Sequence, residues 1–342
     1  MFMAWKEMKK NKSKFLIVGF IVLLISLLTF IISGLASGLS HDNVSLIKNM
    51  PVGTFYMSEE SDKSYSQSHI EKQEQDQLVR GHNDAFAFSI QMGALKSESK
   101  KQHSVAFVTS TDNTFFKNVE KGEIILDSSL KDEGIKIGDH LSSPLAEASF
   151  KVIDFVEDKR FNHSPVAFIN RVDFKNMFRT EELQLIYSTQ KNEDVNGLQS
   201  FSKKEFLSTI PSYQAEQMTL TMIVWFLVVI SGMLFAIFFY MMNVQKIGMY
   251  GILKALGIRN SDLFKMIWSQ MGLITLTALL VSALLSQFFQ FFAPETIPYN
   301  LSITTTIQLS IVFVIVGFLG STLSGYQIKQ VEPLQAIQQG ES

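Results

Sequence analysis

The chain contains no cysteine. Disulfides, thiolate metal sites and a cysteine nucleophile are therefore excluded, and any folded domain must hold by its core alone. Charge is also scarce: 18% of residues are charged against 46% hydrophobic, too apolar for an ordinary soluble protein. There is no glycine-rich phosphate loop with its lysine, no helix bearing a metalloprotease histidine pair, and no Gly-x-Ser-x-Gly elbow. The chain is thus expected not to be an enzyme and not to hydrolyse ATP by itself. Its six histidines, His41, His69, His82, His103, His140 and His163, are too far apart in sequence to suggest a zinc site, and read as solvated or structural.

What is present is sharply segregated. Residues 40–217 hold 27 of the 32 acidic and 20 of the 30 basic side chains, so this block is strongly acidic and the remainder is basic. That asymmetry points to a membrane protein with one polar domain, and nucleic acid is not expected as a partner. Four uncharged apolar runs, 15–39, 218–242, 266–292 and 305–326, exceed or match the roughly 20 helical residues needed to cross a bilayer. Ala36, Ser37 and Gly38 resemble a signal cleavage site, but a run of 25 residues far exceeds a signal core of about 7–15, so the first run is expected to remain as a span.

Lysine sets the orientation. Lys6, Lys9, Lys10, Lys12 and Lys14 stand before the first run against one acid, Glu7, and the connection 243–264 carries Lys246, Lys254 and Arg259 against Asp262. The positive-inside rule places segments 1–14, 243–264 and 327–342 in the cytoplasm, leaving 40–217 and the loop 293–304 outside. The outer block is of single-domain size. Its polar stretch Ser58–Gln77 is expected to be a solvated helix or mobile arm. Short β-rich runs follow at 85–90, 104–109, 123–126, 150–156, 165–169 and 184–187, separated by turn signals such as Gly134 and Gly138. The expected fold is a membrane protein with four transmembrane α-helices and an extracytoplasmic α+β domain inserted between helices 1 and 2.

In the run GMYGILKALGIRNSDLF at 248–264, Met249, Ile252, Leu253 and Leu256 recur at i, i+3, i+4 and i+7. This predicts a short amphipathic helix ending at Gly257 as C-cap, able either to dock a soluble partner or to lie flat at the lipid interface. Gly34 with Gly38, and Ser321 with Gly325, form small-xxx-small pairs suited to close helix packing, within the chain or between subunits.

The run GILKALG at 251–257 resembles the motif after the second span in permeases of the MacB, LolE and FtsX group of ABC transporters, the type VII permeases, and IKQVEPLQAI at 328–337 is similar to the close of their fourth span. Met249 departs from the pattern, since many relatives carry Glu there. Within the group, ISGLASGL at 32–39, NVSLI at 43–47, PSYQAEQ at 211–217 and FFYMMNVQKIGMYGILKALGI at 238–258 resemble the haem-exporting permeases of Gram-positive bacteria. The resemblance implies a homodimer in the plasma membrane with two copies of a separate ATPase that binds ATP. It also implies haem as transported substrate, no intrinsic cofactor, and mechanical coupling through Ile252, Leu253, Lys254, Leu256 and Gly257. The same architecture supports export of a peptide antibiotic or lipid, or FtsX-like transmembrane signalling.

A porphyrin needs an apolar slot, an axial ligand and polar groups for its propionates. If PSYQAEQ continues the second span as helix, Tyr213 and Glu216 share one face and Met218 and Met222 the other. All four are haem-ligand candidates, with His41 across the same boundary, and metal is expected only as haem iron. Each also has a plain reading: a headgroup-level acid or tyrosine, packing methionines, a solvated histidine.

Overall fold

The computed structural model describes residues 9, 11–81, 85–98, 100–111, 115–117, 119–145, 148–189, 195–293 and 297–330. The expectations for Lys6, Glu7, Lys10 and most of IKQVEPLQAI lie outside the described residues. Two compact units result: Met1–Gly38 with Met218–Ser342, and Leu39–Gln217.

The helices in chain order are α1 (Lys12–Lys48), α2 (Lys72–Gly81), α3 (Arg171–Phe178), α4 (Lys203–Ser208), α5 (Pro211–Val244), α6 (Ile247–Ala255), α7 (Asn260–Phe292) and α8 (Ile303–Gln330). Four of them, α1, α5, α7 and α8, are long and apolar enough to cross a membrane. They overrun the apolar runs, because helix propagation adds a hydrogen bond per residue and does not stop where hydrocarbon ends.

The membrane unit is held by Phe15, Val18, Val22, Phe30, Phe235, Phe239, Met271, Ile274 and Phe313, all buried. Small residues let its helices approach: a Cβ on Gly320 would stand 3.0 Å from the Ala236 backbone nitrogen, and Ser26 and Ser282 share a 2.6 Å hydrogen bond. The Gly34 and Gly38 pair is used inside the chain. A Cβ on Gly38 would strike the Pro298 carbonyl oxygen, one on Gly34 would strike the Tyr299 ring, and the Asn300 N–H donates to the Gly34 carbonyl at 3.0 Å. Trp225, Phe226, Leu280, Leu284, Ile311 and Leu319 remain exposed on this unit, as lipid-facing residues should.

The outer unit is one sheet of ten strands: β1 (Thr54–Ser58), β2 (Phe86–Lys96), β3 (Gln102–Ser110), β4 (Glu123–Asp127), β5 (His140–Ser143), β6 (Ala148–Val156), β7 (Arg160–Phe161), β8 (Ser164–Ile169), β9 (Leu185–Ser188) and β10 (Leu198–Ser202). The order is β10-β1-β9-β2-β3-β8-β4-β6-β5, with β7 on β8. Among the described residues only β3–β8 and β4–β6 are parallel. Lys96 of β2 also pairs with Ser142 of β5, so this part of the sheet curls back on itself. One face packs Phe55, Phe86, Phe88, Phe161 and Phe206; the other packs Leu95, Phe107, Phe150 and Phe174.

The stretch Ser58–Gln77 is not a mobile arm. Ile70 bridges Leu183, the Ser68 hydroxyl donates to the Gln184 carbonyl at 2.6 Å, and Gln75 Nε2 donates to the Ile70 carbonyl at 2.6 Å. Ile70 inside the polar segment and Leu78 just after it are buried against the sheet and anchor it, a contribution that the segment's polar composition hides.

Candidate functional site

The site forms at the outer-unit ends of α1 and α5. Ahead of α5, a capping box opens α4: Glu205 N–H donates to Ser202 Oγ while the Glu205 carboxylate accepts from the Ser202 N–H. Phe206 then stacks on Phe55 with centroids 4.5 Å apart. That fixes where Pro211 begins α5, and so where Tyr213 and Glu216 stand.

On the other side α1 breaks at Val44, whose φ of −143° and ψ of 32° are non-helical. A kink needs a cause. Here the Asn43 carbonyl accepts instead from the Asn162 N–H at 2.6 Å. Asn162 and His163 are the two-residue loop between β7 and β8, both with left-handed φ (50° and 59°), which is the pattern of a type I′ hairpin that favours Asn.

Three segments meet at Glu216. Asn43 Nδ2 donates to Glu216 Oε2 at 3.0 Å, Ser212 Oγ donates to Asn43 Oδ1 at 3.3 Å, and His163 Nε2 lies 3.6 Å from the same Oε2. Asn43 is fully buried and Glu216 has 17% of its side chain exposed, so the carboxylate is oriented rather than free in solvent. A carboxylate has about four acceptor positions, and among the described residues these contacts fall on Oε2. Lys48 lies over the Tyr213 ring at 5.4 Å and donates to Ser40 Oγ at 2.6 Å. Burial pushes the Lys48 ammonium below its ordinary pKa; the nearby Glu216 charge opposes that and the Lys203 charge adds to it.

Glu216 and Tyr213 are thus brought into one cluster. His41 is not: its Nε2 is 2.8 Å from both oxygens of Asp158, which Asn49 Nδ2 also holds at 2.7 Å. Its Nε2 is therefore engaged with the Asp158 carboxylate. The histidine beside Glu216 is His163, missed because 53 residues separate the two in sequence; the Asn-His turn of FNHSP was its only sequence signal. Met218 and Met222 lie further along α5, in the membrane unit, and both are exposed. Among the described residues no group of three or more His, Asp and Glu is placed to hold a bare metal ion.

At the other end of the chain, α6 ends in a Schellman motif. Gly257, at φ +87°, donates its N–H to the Lys254 carbonyl, and Ile258 donates to the Leu253 carbonyl. Met249, Ile252 and Leu256 form the exposed face, Leu256 most of all, at 75%. Leu253 departs from the expected docking face. It turns inward with Ile258 and packs on the membrane core beside fully buried Tyr250, whose hydroxyl donates to Asn243 Oδ1 at 3.1 Å. The phase of the helix, not its hydrophobic spacing, decides this: Met249, Ile252 and Leu256 stay on one edge while Leu253 rotates about 100° past Ile252. Lys254 is half-buried, and desolvation lowers its pKa.

Residues 221–333, the last three long helices and α6 among them, match the family model described as FtsX-like permease C-terminal. With the four long apolar helices and the inserted sheet domain, this match supports a multi-pass cell-membrane permease of the ABC type. Over nearly its whole length the chain is similar to two curated relatives named hemin transport system permease protein HrtB. One, from Staphylococcus haemolyticus, is 27% identical over 351 residues, 98% of each chain; the other, from Staphylococcus epidermidis, is 25% identical over 351 residues, 99% of each. Among solved structures, the periplasmic region of MacB from Actinobacillus actinomycetemcomitans is similar at 11% identity, covering 46% of this chain and 92% of that one with a TM-score of 0.34.

Proposed function

We propose that this permease exports haem across a Gram-positive plasma membrane, as a homodimer driven by two copies of a separate ATPase. The observation that carries the reading is the oriented Glu216 carboxylate, held through Oε2 by Asn43 and His163, in one cluster with Tyr213 and Lys48. The full-length likeness to permeases named for hemin transport supports it. Ferric iron favours hard anionic oxygen, so Glu216 is the first axial-ligand candidate, with Tyr213 second. The imidazole of His163 and the ammonium of Lys48 offer donors to the propionates. Met218 and Met222 present exposed thioethers further along the same helix, suited to the porphyrin face.

ATP binding and hydrolysis belong to the partner chain. Its movement would reach this subunit through the exposed edge Ile252 and Leu256, with Lys254 beside them and Gly257 fixing the end of the helix. The test is the visible absorption spectrum of the purified permease–ATPase complex during haem titration. A saturable Soret shift that Glu216→Ala weakens supports the reading. A spectrum indistinguishable from free haem in detergent would sink it.

A further inference from the structure

Within the sheet domain, a cavity of about 80 Å³ opens where the end of β3 meets the start of α3, with Thr109, Phe116, Lys117, Asn170 and Arg171 among its walls. We propose that it binds a phosphate group, held by the Thr109 hydroxyl, the first turn of α3 and the cations Lys117 and Arg171. Strand β8 begins at Ser164, next to His163, and runs about 17 Å to Ile169 at the cavity. This site therefore stands apart from the cluster at Glu216 and does not depend on haem.

Thr109 is the residue that calls for a ligand. It is 2% exposed, and its hydroxyl has no hydrogen-bond partner among the described residues. Folded proteins leave few buried polar groups in that state, because the desolvation is not offset. Strand alternation turns Thr109 to the same side as Val105 and Phe107, the side on which Phe174 of α3 packs. The hydroxyl is thus on the α3 side of the sheet, where the cavity lies. One water needs only about 10–15 Å³ of such space, so a single water would leave the cavity underfilled.

The walls are fixed, and their charge selects the occupant. Asn170 caps α3 with Oδ1, which accepts from the Val172 N–H at 2.9 Å, while its Nδ2 donates to the Val119 carbonyl at 2.8 Å and ties two walls together. A helix start carries partial positive charge and outward N–H groups, the usual setting for a phosphate. Both charged side chains on the described walls are cations. Lys117 gives one donor to Asp154, and Arg171 gives one to the Glu181 carbonyl at 3.4 Å; an ammonium has three donors and a guanidinium five. The acid in the first turn of α3, Asp173, accepts from the Gly122 N–H at 2.7 Å and is not among the described walls. A cation would meet two like charges and the helix start. Phosphate oxygens accept from the hydroxyl, the helix start and both cations at once.

The test is phosphorus NMR of inorganic phosphate titrated with the purified full chain, at an ionic strength held constant with sodium chloride. Line broadening should saturate. Thr109→Val keeps the side-chain shape and removes the hydroxyl; it should weaken binding about tenfold, as loss of one hydrogen bond to a charged group does. In phosphate-free buffer the same variant should unfold at the parent temperature or above, since no partner in the protein is lost. Arg171→Gln, at an exposed position, should also weaken binding about tenfold, with near-ultraviolet circular dichroism showing an intact fold. Glycerol 3-phosphate in place of the ion identifies the source: tighter binding assigns the phosphate to a larger molecule, weaker binding assigns it to the free ion, and both support the site. Broadening that never saturates, or that survives both variants, overturns the proposal. So does a lower unfolding temperature of Thr109→Val without phosphate, because the hydroxyl would then be serving the fold alone.

Discussion

Glu216 owes its position to a neighbour that touches nothing outside the protein. Asn43 is buried, its amide NH₂ group faces the carboxylate, and its amide oxygen accepts from Ser212, so its orientation is fixed from two sides. Removing such a supporting partner from an iron-ligating group costs about 10- to 100-fold in affinity. Asn43→Ala is therefore expected to weaken haem binding by about tenfold in absorption titration, Glu216→Ala by more, and Met222→Ala by least, since a thioether is the poorest ligand for ferric iron. Away from the site, Glu133 reports on the sheet domain. Burial raises its pKa, but hydrogen bonds and charges from Lys101 and His103 outweigh this and hold it below the ordinary value. A depressed carboxylate contributes stability above its unfolded pKa and loses it as pH falls through the folded value. Thermal unfolding of the full chain should accordingly lose more stability between pH 6 and about pH 3.5 in the parent than in Glu133→Gln; equal losses would remove this pair from the acid response.

At the scale of elements, α6 separates two leucines that periodicity had joined. Leu256 is exposed and Leu253 is packed on the membrane core. Leu256→Asp should therefore leave the chain folded and inserted while lowering ATPase-coupled transport, because an unpaired charge on a docking face must be desolvated. Leu253→Asp should instead lower the amount of folded protein in the membrane. Size-exclusion chromatography with the ATPase, beside membrane yield, distinguishes the two outcomes. Gly257→Ala forces a left-handed φ on a β-carbon and should destabilise the α6 terminus by about 1 kcal/mol. The four long helices and most strands were legible because their signals are local: uncharged runs of span length, and short β-rich runs between turns. β1, β5, β7 and β10 were not, since TFYMS and LQSFS gain strand character only by pairing with each other. The cluster at Glu216 was half legible. Tyr213 and Glu216 are one helical turn apart, but Asn43 and His163 join them only through the Val44 kink and the β7–β8 turn, and no sequence period encodes either.

For the whole molecule the open quantity is which side of the membrane each unit faces, and charge decides it. Residues 40–217 carry an excess of acids, while the described ends of the membrane unit hold Lys9, Lys12, Lys14, Lys246, Lys254 and Arg259. Lysine and arginine resist translocation and acids contribute little, so the rule counts the basic residues close to span ends and ignores the size of the domain between α1 and α5. Two reporters follow from the structure. Lys136 is exposed in the sheet unit and Asn260 is exposed at the start of α7; with no native cysteine, a single introduced thiol has no background. Lys136→Cys should react with a membrane-impermeant maleimide on intact cells, and Asn260→Cys should react only after the membrane is opened. The proposed haem export requires this arrangement, because a cytoplasmic ATPase would have to meet α6 while the proposed ligand Glu216 would have to face outside. Labelling of Asn260→Cys on intact cells, with Lys136→Cys protected, would invert the chain and remove α6 from reach of any cytoplasmic ATPase.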